Sequence, residues 1–284
     1  MEMNRELEQL INSASDLPTI PVVATKVLQL IESETTTAED LARVVSSDAA
    51  VAARVLKISN SSFFGCRRQI NTLSHAIMML GYNTLKSLIM AASVKQVYKN
   101  YGLAEKMLWE HSFGAALAAR IIAGATQQIN DEEAFLGGLF HDIGKTIMNN
   151  IDSQRFQMVI QKCYNEGISF QEAEQEFYPY SHAEVGGLVI EKWNFPEMLI
   201  KAVMEHHRFG FVEDEDPYQI LLTSTVGLAN LFCHKIGLGQ REPDTDLVLA
   251  ESMPARLLQL DENQLECMLT SFEQAYTQDK SFFE

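Results

Sequence analysis

The chain has 284 residues, 46% hydrophobic and 21% charged, which is enough for one large or two ordinary packed domains and argues against disorder. Its net charge of -16 argues against general nucleic-acid or anionic-membrane binding, because both require a cationic surface. No apolar run approaches the length of a membrane span, and Met1 to Asp16 lacks the basic start and apolar centre of a signal peptide, so a cytoplasmic location is expected.

In chain order, almost every segment has a helical period. Val22, Val23, Val27, Leu30 and Ile31 form an apolar stripe opened by Pro21. Thr36 with Glu39 has the spacing of a capping box, and Asp48 is placed to cap a helix from Ala49 to Ser59. Asn60 to Gln69 reads as a break in which Phe63 and Phe64 tuck inward. A short helix around Ser74 to Leu80 is expected to end at Gly81, with another from about Asn83 to Lys99. No alternating pattern is long enough to predict a strand.

Asn100 to Gly102 is the expected hinge, followed by a long helix from about Ala104 to Thr126. Asn130 with Glu133, and Ser181 with Glu184, repeat the capping-box spacing; the latter makes His182 a first helical residue. Gly137-Gly138 and Gly186-Gly187 lie inside helical patterns, where each glycine costs roughly 1 kcal/mol relative to alanine, so close approach of a neighbouring helix is expected. Further helices should end at His206-His207 and run from Pro217 through Asn230 and Phe232, with about two more in the tail. The fold class is all-α and two-lobed: an N-terminal helical bundle (1–100) packed on a second helical lobe (101–240), then an acidic helical extension (241–284). From Arg241 onward there are ten acids against three bases, which reads as a solvated face or a dock for a basic partner.

The four cysteines, Cys66, Cys163, Cys233 and Cys267, are scattered and read as reduced structural thiols. Of the seven histidines, His75 and His234 read as structural. His141 and the adjacent Asp142 offer an imidazole nitrogen and a carboxylate oxygen to one cation, a pairing suited to Zn, Fe, Mn or Ni. Lys145 shares their helical face and is either a solvated lysine or a partner for an anionic ligand such as a phosphate. His111, His182, His206 and His207 stand at other helix positions, where a helical core can gather them around a metal or use them in interhelical hydrogen bonds. Arg67-Arg68 is weak evidence for an anion site, and Ser112 has no nucleophile motif around it.

Several segments together resemble the HDOD family, the HD-related output domain of bacterial signalling proteins within the HD metal-dependent phosphohydrolase superfamily. They are Leu17-Pro18-Thr19-Ile20-Pro21, Asp48 through Asn60-Ser61-Ser62, Ile70 through Leu80-Gly81, Trp109-Glu110-His111-Ser112, Gly138 to Lys145, His182 to Gly186 with Trp193 and Pro196, and His206-His207. The resemblance runs over roughly residues 15 to 235. It implies that the second lobe is HD-like, that His111, His141, Asp142 and Asn230 hold one divalent cation (Fe, Mn, Zn, Ni or Mg), and that His182, His206 and His207 complete a second position. Asn230 stands where the superfamily has a metal-binding aspartate, which removes one negative charge. His206-His207 is followed by Arg208-Phe209-Gly210-Phe211, with no Gly-Tyr-Pro of the cyclic-di-GMP-hydrolysing branch.

Two readings follow from the resemblance. In the first, favoured by Asn230, the chain is a regulatory module with a signalling protein partner, little or no catalysis and a signal arriving through a ligand or another protein. In the second it is a metal-dependent phosphohydrolase acting on a phosphoester or nucleotide, with Lys145 as the catalytic residue that neutralises phosphate charge. A helical scaffold whose histidines bind nothing is the bland alternative.

Overall fold

The computed structural model describes residues 7, 22–31, 35–61, 69–98, 102–210, 215–239 and 242–278. Among these the chain is all-α, with no strand. The expectations for Leu17 to Pro21, Ser62 to Arg68 and Asn100 fall outside the described residues.

The first helices are α1 (Val22–Ile31), α2 (Ala38–Ser46), α3 (Ala49–Ser59) and α4 (Leu73–Val94), with α1, α2 and α3 all packed on α4. Asp48 caps α3, accepting from the N–H groups of Ala50 and Val51. The box before α2 is one residue later than the sequence suggests: Thr37 and Asp40 exchange the two bonds. Thr36 is drawn away, its hydroxyl donating to the carbonyl of Leu30 at 2.5 Å. Within α4 the backbone leaves helical geometry at Gly81 (φ 80°, ψ 169°), the predicted break. The second part ends at Val94, and Lys95–Val97 tightens into a 3-10 turn, so the helix stops short of Lys99. Counted across the kink, Leu73–Val94 is long and apolar enough to cross a membrane by length and composition alone, which corrects the expectation drawn from apolar runs. Its C-terminal half, from Leu85 to Val94, is instead buried in the core.

The centre of the molecule is α5 (Leu103–Thr126), against which α6 (Asp131–Phe140), α12 (Pro217–Ile236) and α14 (Glu262–Gln278) pack. Between them run α7 (Ile143–Ile151), α8 (Ser153–Glu166), α9 (Phe170–Phe177), α10 (His182–Lys192) and α11 (Glu197–Glu205); α13 (Met253–Leu257) precedes α14. Phe135, Phe140, Phe156, Phe232 and Phe272 are among the largest fully buried side chains. Thr84 of α4 donates to Glu132 at 2.8 Å, and Arg120 pairs with the same carboxylate at 2.8 Å, tying the first helices to the α5–α6 hairpin.

The glycine pairs serve this packing. A β-carbon on Gly138 would strike the backbone of Ala115 and Ala116, and one on Gly137 would lie 2.6 Å from Val226 of α12. On α10, Gly187 faces Met204, while Gly144 of α7 is pressed against the carbonyl of His182. Asn130 caps α6 as expected, but Glu133 does not return the bond directly. The Tyr218 hydroxyl stands between them, donating to Glu133 and accepting from the Asn130 N–H, so the box closes through a third residue. Cys163, Cys233 and Cys267 form no disulfide.

Candidate metal centre

Asp142 stands where the chain turns from α6 into α7, at φ -106° and ψ 10°, and its side chain is 2% exposed. This break allows His141, at the end of one helix, and Lys145, in the first turn of the next, to meet the same carboxylate. Lys145 Nζ donates to Asp142 Oδ2 at 2.7 Å. His141 Nε2 and His111 Nε2 each lie 3.4 Å from that oxygen. On the other side, His182 Nε2 is 3.2 Å and His206 Nε2 3.7 Å from Asp142 Oδ1. Each oxygen of one carboxylate therefore faces a different pair of imidazoles.

The rings are held from behind. His141 donates from Nδ1 to the carbonyl of Gly138 at 2.7 Å, His206 to that of Val203 at 2.7 Å, and His111 to that of Leu238 at 2.9 Å. His182 Nδ1 lies 2.7 and 2.9 Å from the two oxygens of Glu174, which also accepts the His182 backbone N–H at 3.0 Å. Such partners fix the tautomer, so that a neutral ring turns its Nε2 lone pair to the centre. Ser181 and Glu184 form the predicted capping box and start α10 with His182.

Burial drives the His111 imidazole down to about 4, and His206 and His207 are also lowered, in each case mainly by burial. Burial also opposes charge on His182, but Glu174 and Asp142 outweigh it and raise that ring above the usual histidine value. For Asp142, burial pushes the carboxyl up, while His141 and Lys145 hold it well below the usual range. It is a carboxylate, held by the Lys145 ammonium and faced by the Nε2 atoms of His111, His141, His182 and His206.

That arrangement fits a cation. His111 Nε2 lies 3.3 Å from His141 Nε2 and 2.9 Å from the amide oxygen of Asn230, so a neutral His111 meets two further acceptors. Asp142 Oδ1 and His206 Nε2 are buried with no hydrogen-bond partner. Leaving such groups unpaired costs roughly 1–3 kcal/mol each, whereas cations between them would satisfy every lone pair at once. His111, His141 and Asp142 form one set of potential ligands, and Asp142, His182, His206 and His207 a second. His207 lies 3.1 Å from His182, Nε2 to Nε2.

All the predicted site residues thus come together: His111, His141, Asp142, His182, His206, His207 and Asn230, with Lys145 against Asp142. Ser112 is buried as a hydrogen-bond partner of Tyr98. Lys145, read from sequence as a possible phosphate partner, has Asp142 as its ion-pair partner and lies 4.5 Å over the Phe170 ring. His75 is remote in the first helices. His234, read as structural, is beside the centre: its ring centroid is 5.3 Å from that of His111, one helical turn beyond Asn230 on α12. The spacing from Asn230 to His234 was the available signal. Glu174 and the Leu238 carbonyl had none, because both act across the fold.

Two cavities reach the centre. One, of about 340 Å³, has His111 and Asp142 at its floor and apolar walls including Leu108, Ile160 and Phe170. The other, of about 620 Å³, reaches His207 and includes Glu242, Asp244 and Leu247 from the tail.

A family model for the HDOD domain matches residues 17–209. The crystal structure of an HDOD domain protein of unknown function from Geobacter sulfurreducens is 21% identical, covers 98% of this chain and 95% of its own, and superposes with a TM-score of 0.81. A protein from Shewanella amazonensis SB2B, provisionally named a phosphohydrolase, is 22% identical, with 96% of each chain covered and a TM-score of 0.73. At these identities the likeness is one of fold. An uncharacterised protein of Treponema pallidum (strain Nichols) is 24% identical over 217 residues, covering 76% of this chain, which spans 42% of that relative's length. The family match takes in both the early helices and the His-Asp centre, more than half of the sequence: the chain belongs to the HDOD family.

Proposed function

We propose that the chain is an HDOD signalling module whose buried centre would hold divalent cations between Asp142 and the imidazoles around it, and that this centre binds and hydrolyses a phosphoester. The observation that carries the reading is the Asp142 carboxylate, whose two oxygens face two separate sets of fixed imidazoles. Cations held there would supply Lewis acidity and a bound water of lowered pKa. His111, His141 and Asn230 would serve one position and His182, His206 and His207 the other. Glu174, Gly138, Val203 and Leu238 orient the rings. Lys145 borders both cavities while donating to Asp142, so its ammonium lies where a phosphate oxygen entering from either side would need positive charge.

A sensing role with little or no turnover is the second reading. It is favoured by Asn230, which contributes no charge, and by Lys145, which neutralises part of Asp142. Metal analysis of the purified protein, wild type beside His141→Ala, tests the centre. Near-stoichiometric metal lost in the variant is the expected result; no metal in either would end the proposal. Turnover of p-nitrophenyl phosphoesters by the loaded protein then separates hydrolysis from sensing.

A further inference from the structure

The two cavities are not independent. They share Lys145, Tyr164, Phe170 and His234, which form the partition between them. The first exposes His111 and Asp142, the side of the first cation position; the second exposes His207, the side of the other. A phosphate lying across the centre therefore has a cavity on each side, and a monoester would fill only one.

The two cavities also differ in chemistry. The first is lined largely by Leu103, Met107, Leu108, Ile160, Tyr164 and Phe170, an apolar slot whose roughly 340 Å³ falls within the usual range for small-ligand sites. On its rim, Gln157, Gln161 and Asn165 stand at successive turns of α8, carboxamides that both donate and accept. The second is more polar, with Ser169 and Gln171 on one side and the carboxylates of Glu242 and Asp244 on the other. Those carboxylates disfavour additional phosphate groups and favour a neutral or cationic substituent.

We infer that the ligand is a phosphodiester, with an apolar group in the first cavity and a polar, uncharged or cationic group in the second. This rests on the phosphoester reading above and narrows its substrate class. A nucleoside polyphosphate would place further anionic charge against the second wall, and a simple monoester would leave that cavity without a contact.

The test is calorimetric binding to the full chain loaded with Mn²⁺, using inorganic phosphate, p-nitrophenyl phosphate and p-nitrophenyl phosphorylcholine, which carry no, one and two organic groups. The diester should bind about tenfold more tightly than the monoester. Glu242→Gln, an exposed position, should narrow that gap by weakening the diester while leaving the monoester unchanged. A monoester that binds as well as the diester, or a gap untouched by Glu242→Gln, overturns the inference while leaving the phosphoester reading standing. Failure of inorganic phosphate and both esters to bind the loaded protein removes both.

Discussion

The Nδ1 of His182 lies 2.7 Å from Oε2 of Glu174, and the backbone N–H of His182 donates to the same oxygen at 3.0 Å. One buried carboxylate thereby sets both the ring and the first turn of the helix that carries it. Glu174→Gln keeps the shape but loses the charge, and should weaken metal binding about 10–100-fold, as loss of a supporting carboxylate typically does. Competition with a chelating metal indicator measures this directly. An unchanged affinity would show that Glu174 does not support a ligand.

The same contact sets a pH dependence. His182 is raised above 6.5, so it is protonated below its shifted value and cannot ligate there, whereas His111 is lowered to about 4 and stays neutral. Metal affinity should be full above the His182 value and fall as pH drops through it, with the His182–His206–His207 position lost first. Two Mn²⁺ equivalents titrated calorimetrically above the His182 value should become one tight equivalent below pH 6.5. Two equivalents weakening together would contradict the assignment.

Asp142→Asn should cost the protein its metal and also its metal-free stability. Lys145, 5% exposed, would lose its ion-pair partner. Breaking a buried pair from one side typically costs ~3–5 kcal/mol. Urea denaturation of the metal-free variant against wild type is the check, and equal midpoints would mean that the pair is not carrying that energy.

Asn230→Asp restores a charge beside His111 and should tighten the first cation by about tenfold, since a carboxylate adds direct Coulomb attraction. Faster phosphoester turnover in this variant would support hydrolysis at the centre. Weaker metal binding would indicate that the Asn230 amide is placed for another partner.

Gly144→Ala tests the packing on which the centre rests. The new methyl would fall on the carbonyl of His182 and 2.8 Å from the Gly186 nitrogen, both backbone atoms with little room to yield. A loss of ~2–3 kcal/mol or more is expected for overpacking at such a contact. Thermal unfolding followed by circular dichroism reads it; an unshifted Tm would mean that α7 and α10 separate easily.

Much of the fold was legible because its signals are local. Ser181 and Glu184 are three residues apart, and paired glycines at 137–138 mark a crowded helix without naming the neighbour. The His141-Asp142 doublet and the histidines around it carried the family resemblance. What escaped was non-local. The capping box at Thr36 moved one residue because the Thr36 hydroxyl bonds back to Leu30, and the box at Asn130 closes through Tyr218, 88 residues away. Glu174 is one glutamate among many until the fold buries it against His182. His234 looked like a structural residue because helical spacing gives its face but not what that face meets.

His111 takes its orientation from the carbonyl of Leu238, 127 residues later, beyond the end of the family match at 209. Gly239, at φ 75°, brings the chain so close that a β-carbon there would lie 2.5 Å from His111. During synthesis, the helix bearing His111 emerges long before the carbonyl that aims it. The first cation position is thus among the last contacts to close, at the entropic cost of a long loop. Metal uptake at that position should then be slow in refolding, reporting that Leu238 has docked on His111 rather than that the early helices have formed.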